Sequence, residues 1–151
     1  MSVYKILTDP NPVLRQRSAA VRNINAGVLR VLENMRDTMY AADGIGLAAP
    51  QIGVSKRIII VDPGNNLIEL INPEITFQEG EQNGSEGCLS VPRKVGWVKR
   101  AQKITVKGLN SQGESIEIEA ENLLARVIQH EIDHLDGILF PDKATRIRID
   151  E

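Results

Sequence analysis

The sequence predicts an α+β fold with mostly antiparallel sheets, because a helical pattern is followed by several strand patterns and then by a second helical pattern. Apolar residues recur at helical spacing between residues 25 and 42, and again between residues 121 and 135. Between these regions lie short runs rich in Ile and Val, separated by Gly, Pro and Asn. Helices and strands that do not alternate along the chain are typical of the α+β class.

The first helix is predicted over residues 25–42. Its apolar side chains are spaced by one, three or four positions and fall on one face. They are Val28, Leu29, Leu32, Met35 and Met39. Asn25 is a suitable N-cap, and Gly44 lies just beyond the predicted end. The next segment, residues 44–51 (GIGLAAPQ), is too small and too rich in glycine to predict a regular element.

The middle of the chain contains the strand patterns. Strands are predicted in four segments: residues 57–62, 67–77, 95–107 and 115–120. The second is interrupted at Asn72, which precedes a proline. Gly80 and Gly84 bracket a predicted polar connection that leads to residues 85–90. The last helix is predicted over residues 121–135 and ends near Gly137.

Composition sets the broad class of the protein. The chain has 151 residues, of which 42% are hydrophobic and 25% charged, so we expect one domain over residues 1–151. A net charge of −2 gives no support for general binding to nucleic acid or anionic membranes. No apolar run reaches the roughly 18 residues of a membrane span, and residues 1–12 lack the apolar core of a secretory signal. We therefore expect a reducing compartment, most simply the cytoplasm.

The sequence HEIDH at residues 130–134 carries the strongest chemical signal. Because a helix turns about 100° per residue, His130 and His134 project within about 40° of each other and can bind one metal ion. Glu131 can then reach a water molecule at that ion without being a ligand, which is the arrangement of a general base beside a Lewis acid. Two chance histidines on a solvated face are the alternative, but the chain has only these two histidines.

Two histidines leave the metal site one protein ligand short, since catalytic sites usually have three. A metallopeptidase would add a histidine or glutamate downstream, yet no histidine follows His134 and the sole later glutamate is Glu151. Cys88, the single cysteine, is a good transition-metal ligand as a thiolate. A buried, inert thiol is the usual alternative, but the incomplete motif favours ligation by Cys88.

Residues 44–51 form a third candidate feature. Gly44 and Gly46 permit backbone conformations closed to other residues and let a substrate chain run alongside. Gln51 is uncharged and donates N–H bonds, so it can hold negative charge that develops on a carbonyl oxygen. A structural turn in which the amide binds its own backbone explains the segment equally well, and spacing alone leaves this open.

Three segments together resemble the signature motifs of the peptide deformylase family. They are residues 44–51 (GIGLAAPQ), 86–90 (EGCLS) and 129–134 (QHEIDH), in matching order and with matching separations. The resemblance runs along nearly the whole chain. It implies an α+β fold, with mostly antiparallel sheets around a central C-terminal helix that carries the metal-binding histidines. It also implies a hydrolase that removes the formyl group from the N-terminal methionine of newly made polypeptides.

The resemblance also implies roles for individual residues. The metal ligands would be Cys88, His130 and His134. Glu131 would be the general acid and base, and Gln51 with the backbone N–H of Leu89 would form the oxyanion hole. Contacts with the substrate would come from Gly44, Ile45, Gly46, Gly87, Leu123 and Val127. Plain core packing is an equal alternative for Leu123 and Val127.

Two positions depart from the pattern of some relatives. An arginine found seven residues after the metal cysteine is replaced by Val95, with Arg93 and Lys94 just before it. A pocket position that is aliphatic in some relatives falls on Gly84. These changes leave the chemistry intact but leave the fine substrate preference open. A long C-terminal helix seen in some members is expected to be missing or reduced.

The resemblance implies one divalent metal ion per chain, with Fe²⁺ expected in the cell, although a Cys/His/His site also suits Zn²⁺, Ni²⁺ or Co²⁺. Expected partners are N-formylmethionyl nascent chains and, transiently, the ribosome, with no specific nucleic-acid motif and no membrane. Three alternatives remain: a peptidase, a structural metal site, and a degenerate deformylase that only binds peptides. A structural metal site gives Glu131 and Gln51 no task, and a degenerate deformylase would be expected to have lost one of these residues, whereas all are intact. An assay of formate release separates the peptidase.

Overall fold

The computed structural model describes residues 2–150, which form two antiparallel sheets and two principal helices. The helices are α1 Ala26–Ala41, α2 Asn122–Leu135 and the single-turn α3 Phe140–Lys143. The strands are β1 Gly46–Ala48, β2 Ile58–Val61, β3 Ile68–Glu79, β4 Gln82–Cys88, β5 Val91–Arg100, β6 Lys103–Leu109, β7 Ser115–Glu121 and β8 Ala144–Ile149. One sheet has the order β1-β2-β3-β6-β7 and the other β4-β5-β8. The predicted α+β class is confirmed.

The five-stranded sheet lies between the two long helices. Along β2, Ile58 and Ile60 pack with α1, whereas Ile59 and Val61 pack on the other face with α2. This alternation follows from the two-residue period of a strand. All four side chains are fully buried. Because both faces of β2 are covered, its sequence is a continuous apolar run rather than an alternating one.

Helix α1 begins as predicted. The Asn25 side chain accepts a hydrogen bond of 3.0 Å from the backbone N–H of Val28, so it caps the first turn. Its apolar stripe faces the sheet, with Leu32, Met35 and Met39 almost fully buried. Helix α2 differs because it is covered nearly all round: every residue from 125 to 135 is buried. It therefore forms the centre of the molecule.

The prediction of a polar connection between Gly80 and Gly84 is wrong, because residues 82–88 form β4. This segment contains no β-branched or aromatic side chain. Its extended conformation comes from pairing with β5, in which Asn83 lies opposite Lys99 and Ser85 opposite Trp97. Leu89 and Ser90 then form a two-residue turn into β5.

The single strand predicted over residues 95–107 is also wrong, because the chain breaks there into β5 and β6, which belong to different sheets. The break lies at Ala101, whose backbone leaves both ladders. The Gln129 side chain on α2 supplies hydrogen bonds in place of strand pairing. Its Oε1 accepts from the Ala101 N–H and its Nε2 donates to the Ala101 carbonyl, both at 3.0 Å. We call this pair of bonds the Gln129 clasp.

Residues 44–51 contain regular structure, contrary to expectation. The strand β1 pairs with β2, Leu47 opposite Ile60, and a 3-10 turn over Ala49–Ile52 follows. The predicted interruption at Asn72 appears as a register shift within β3. Asn72 has a positive φ of 54°. Its Oδ1 accepts from the Val21 N–H at 2.8 Å, and its Nδ2 donates to the Val21 carbonyl at 2.9 Å.

The chain after α2 returns to the three-stranded sheet. Gly137 turns with φ 75°, α3 makes one turn, and β8 pairs with β5. Residues 136–150 thus contain no long helix. Within the described part of the chain, no helix is both long and apolar enough to cross a membrane.

Candidate active site

Helix α2 presents both histidines and the intervening glutamate to one region. His130 and His134 lie one turn apart, with ring centroids 5.1 Å from each other. Glu131 is 4% exposed and His134 2% exposed, so their polar atoms face the interior rather than solvent. The helical spacing inferred from HEIDH is therefore realised on a helix that the rest of the protein surrounds.

Cys88, the last residue of β4, completes the cluster. Its Sγ lies 3.3 Å from His134 Nε2, and the ligand atoms of Cys88, His130 and His134 all lie within 4.8 Å of one another. A tetrahedral ion with bonds of roughly 2.0 to 2.3 Å holds its ligand atoms about 3.5 Å apart. The spacing and the donor set, one sulfur and two nitrogens, therefore fit a divalent transition metal.

Glu131 lies beside this cluster without belonging to it. Its Oε1 is buried and has no hydrogen-bond partner among residues 2–150. Burial raises the pKa of Glu131 to about 7. Gly46 on β1 makes room for the carboxylate, since a Cβ there would lie 2.5 Å from Glu131 Oε2. An unpartnered buried oxygen beside three ligand atoms is what a carboxylate that serves a bound water requires.

Glu86, which sequence reasoning did not single out, holds His130. Its Oε1 lies 2.9 Å from His130 Nδ1. Because a carboxylate only accepts, His130 donates from Nδ1, which leaves Nε2 for a metal. Burial opposes the charged form of Glu86, but hydrogen bonds from His130 and Arg100 outweigh it and lower its pKa to about 2. The sequence signal that could have identified Glu86 is its charge, two positions before Cys88 inside the EGCLS motif.

Four further charged side chains are connected to Glu86, two directly and two through Arg100, and link the three-stranded sheet to α2. Arg100 donates to both Glu86 oxygens, at 3.0 and 2.9 Å, and also to Asp133 on α2. Arg126 on α2 donates to Glu86 Oε2. Lys143 donates to the other Asp133 oxygen at 3.0 Å. We call these five residues the charge network.

The Gln51 side chain is fixed at both ends. Its Oε1 accepts from the Ala48 N–H at 2.9 Å, and its Nε2 donates to Ser90 Oγ at 3.0 Å and lies 3.7 Å from Cys88 Sγ. The amide thus anchors its own turn and also presents N–H groups beside the cysteine. Leu89, in the turn after β4, lines the same space.

A cavity of about 460 Å³ opens beside the cluster. All six residues expected to contact a substrate line it: Gly44, Ile45, Gly46, Gly87, Leu123 and Val127. Ile45 and Leu123 are 44% and 51% exposed, so they lie at its mouth and not in the core. Val127 is 6% exposed and lines the cavity while it also packs in the core between α2 and the sheet.

Of the two departures noted in the sequence, one lies on the cavity wall and the other does not. Arg93, Lys94 and Val95 line the cavity, as expected for residues near a substrate's path. Gly84 does not; Arg126 lines the cavity there instead. Nothing in the sequence singled out Arg126, which precedes Val127 in an otherwise apolar stretch of α2.

The α+β scaffold and the Cys/His/His cluster with an adjacent glutamate are those of a metal-dependent hydrolase. The comparisons with known proteins agree: residues 3–149 match the model of the polypeptide deformylase family, and the chain belongs to that family. It is 65% identical to the peptide deformylase of Syntrophomonas wolfei subsp. wolfei, over 100% of this chain and 99% of that protein.

Solved structures agree with this assignment. The crystal structure of peptide deformylase from Thermotoga maritima matches with a TM-score of 0.94 at 41% identity, covering 97% of this chain and 100% of that one. A Met-Ala-Ser-bound class I type b peptide deformylase from Acinetobacter baumannii matches with a TM-score of 0.91 at 37% identity, covering 95% and 100%. The activity expected from the sequence, metal-dependent removal of the N-formyl group from nascent peptides, is confirmed.

Proposed function

We propose that Cys88, His130 and His134 hold one divalent ion and that Glu131 moves the proton during deformylation. The observation that carries this proposal is the buried, unpartnered Glu131 oxygen beside three ligand atoms that lie within 4.8 Å of one another. A divalent ion supplies Lewis acidity there, which makes a water molecule acidic enough to attack near neutral pH. The remaining steps belong to the residues of the chain.

Glu131 accepts the proton of the water molecule as that water attacks the formyl carbon. The carboxylate has room for this because Gly46, which lies beside it, has no side chain. As the C–N bond breaks, Glu131 returns the proton to the departing amine nitrogen. The immediate products are formic acid and a peptide with a free N-terminal amine, and the acid then loses its remaining proton to solvent to become formate.

Gln51 and Leu89 hold the negative charge that develops on the formyl oxygen. The Gln51 amide cannot rotate freely, because Ala48 and Ser90 bind its two ends. A donor held in place before the reaction loses little energy to reorganisation, which is how oxyanion holes accelerate acyl chemistry. The backbone N–H of Leu89 adds a second donor, next to Cys88 in the chain.

The substrate's methionine side chain occupies the cavity. Val127 forms its inner wall, and Ile45 with Leu123 forms its mouth. Gly46 and Gly87 offer backbone hydrogen bonds to the peptide, and Gly44 leaves room for it. The Met-Ala-Ser peptide bound to the Acinetobacter relative supports a methionyl peptide as the occupant.

The cellular setting is part of the same proposal. Residues 1–151 act as one catalytic domain, in the cytoplasm, on chains that are still attached to ribosomes. A reducing compartment suits a site that depends on the Cys88 thiolate. Sedimentation with translating ribosomes, compared with the same sample after release of the nascent chains, tests the transient association. Recovery in the same amounts with and without nascent chains would contradict it.

We further propose Fe²⁺ as the ion held in the cell. The ligand set alone admits Zn²⁺, Ni²⁺ or Co²⁺ as well, so the test is anaerobic purification followed by metal analysis. The iron form should lose activity in air, since both ferrous iron and a thiolate oxidise. Stoichiometric zinc with full activity after anaerobic purification would contradict the assignment.

The replacement Glu131→Gln tests the central role. It keeps size and shape but removes the basic oxygen, so metal content should be unchanged while kcat for formate release falls by about 10² or more. The matched control is Glu117→Gln, an exposed carboxylate on β7 outside the cavity, which should behave as wild type. Near wild-type turnover of metal-loaded Glu131→Gln would disprove this mechanism.

A further inference from the structure

The wall of the cavity contains a charged side chain that the deformylation mechanism does not use. Arg126 is 6% exposed, lines the cavity, and lies one turn of α2 before His130. A guanidinium in a pocket expected to receive a methionine side chain requires an explanation. This inference rests on the proposed function, because it concerns the side chain that occupies the cavity.

Arg126 is fixed against the wall by β4. Its Nε donates to Gln82 Oε1 at 3.2 Å, its Nη2 to the Gln82 carbonyl at 3.3 Å and its Nη1 to the Gly84 carbonyl at 3.5 Å. Nη1 also donates to Glu86 Oε2. A guanidinium carries five N–H groups, so one N–H on Nη2 has no acceptor among residues 2–150.

Gly84 leaves room for this arrangement. A Cβ at Gly84 would lie 3.2 Å from both Cζ and Nη2 of Arg126, closer than ordinary van der Waals contact. The two positions are therefore complementary: the arginine fills the space that a side chain at residue 84 would take. The departure at Gly84 seen in the sequence is explained by Arg126.

We infer that Arg126 is a specificity-determining residue, which gives the cavity a polar wall and favours an unbranched first side chain that carries a hydrogen-bond acceptor. The thioether sulfur of methionine is a weak acceptor, and the oxygen of methionine sulfoxide is a stronger one. Norleucine has the same length but no acceptor. Leaving a buried donor unpaired costs more than the bond itself contributes, which sharpens the discrimination.

The test compares three peptides that differ only in the first residue: formyl-methionyl, formyl-norleucyl and formyl-methionyl-sulfoxide forms of X-Ala-Ser. With the Ni²⁺-loaded protein, kcat/KM for methionine should exceed that for norleucine by about threefold to tenfold. This is the range of one typical hydrogen bond, because the charged donor meets only the weak sulfur acceptor. The sulfoxide should be turned over at least as well as norleucine. Equal turnover of methionine and norleucine with poor turnover of the sulfoxide would overturn the inference.

Arg126→Met removes the donors at similar length, so the methionine-to-norleucine ratio should fall to about one and the sulfoxide should fall below norleucine. Arg100→Met is the matched control, because Arg100 also binds Glu86 but does not line the cavity. Arg100→Met should lower metal affinity but leave the methionine-to-norleucine and sulfoxide-to-norleucine ratios of kcat/KM unchanged. If Arg126→Met does not fold, Arg126→Lys, which retains a donor and a charge, should keep a ratio above one.

The outcomes separate this inference from the proposed function. No formate from any of the three peptides with the metal-loaded wild type would refute the proposed function itself. Formate release with ratios that are the same in wild type and Arg126→Met, at equal metal content, would refute only the role of Arg126. A shift of the ratios in Arg100→Met equal to that in Arg126→Met would show an indirect effect through Glu86, and would also overturn it.

Discussion

The two sheets of this protein are held in different ways. In the five-stranded sheet the interior is aliphatic: Ile59, Val61 and Leu70 pack on α2, and all three are fully buried. In the three-stranded sheet the contacts with α2 are charged, through Glu86 and Arg100, which are 7% and 5% exposed. Helix α2 is thus held by apolar packing on one side and by ion pairs on the other.

Stability and chemistry are thus divided between the two sheets. Apolar packing depends on volume and has no direction, and it contributes most of the free energy of folding. Buried ion pairs contribute little net stability after desolvation, but they have fixed directions and lengths. The five-stranded sheet therefore fixes α2, and the three-stranded sheet places Cys88 and orients His130. Substitutions in the two sheets should have separable effects.

Removal of the thiolate is expected to have the largest effect. Cys88→Ala should strip most of the bound metal and all formate release, because two imidazoles remain as the protein ligands. Circular dichroism should stay close to that of wild type, since Cys88 is only partly buried and packs at the edge of the small apolar cluster that contains Phe140. Metal analysis after dialysis and the formate assay measure this. Full metal content at unchanged affinity would remove Cys88 from the ligand set.

Loss of the oxyanion donor should be the next largest effect. Gln51→Ala should retain metal but lower kcat by about 10² to 10³. The control is Ser90→Ala, which removes the partner of Gln51 Nε2 but leaves the donor in place, and a loss of less than about tenfold is expected. If both variants lost activity equally, Gln51 would act through its position in the turn and not as a donor.

Weakening the charge network should affect the metal more than the fold. Glu86→Gln leaves His130 Nδ1 with a neutral partner, so metal affinity should fall by about 10- to 100-fold, the usual cost of such a change. Competition with a chelator measures it. Glu69→Gln, which breaks the ion pair with Arg36 away from the site, is the control and should leave affinity unchanged. Equal affinity in both variants would contradict the division between the sheets.

A cavity in the five-stranded sheet should leave the chemistry unchanged. Ile60 is fully buried on the face that packs against α1, away from α2. Ile60→Ala should lower the free energy of unfolding by about 2 to 5 kcal/mol, measured by denaturant titration. The kcat per bound metal should match wild type at a temperature where the variant is folded. A tenfold loss of kcat per metal would show that the two sheets are coupled.

The sequence predicted those features that local pattern determines. The helix α2 and the geometry of HEIDH follow from the helical repeat, and the capping of α1 follows from Asn25. The site was predicted because its residue types are chemically unusual: both histidines and the single cysteine lie in it. Neither depends on which strands pair.

The features that pairing determines were missed. The strand β4 has no intrinsic strand preference, and it is extended because β5 lies on one edge and Arg126 binds carbonyls on the other. The break between β5 and β6 leaves the apolar alternation intact, because it occurs where the chain changes sheet. The role of Glu86 also depends on a residue 44 positions away, His130. No local pattern contains such information.

The Gln129 clasp has a consequence for the order in which the protein assembles. At Ala101, where the chain passes from one sheet to the other, the backbone N–H donates to Gln129 on a helix that comes later in the chain. The Ala101 carbonyl accepts from the same Gln129 side chain and from Gln82 on β4. Contacts of long sequence separation form late because the loop between them must first close. We expect the two sheets to reach their final relative position only when α2 packs between them. Cys88 and the histidines meet at that same moment, so metal capture belongs to the closing step of folding.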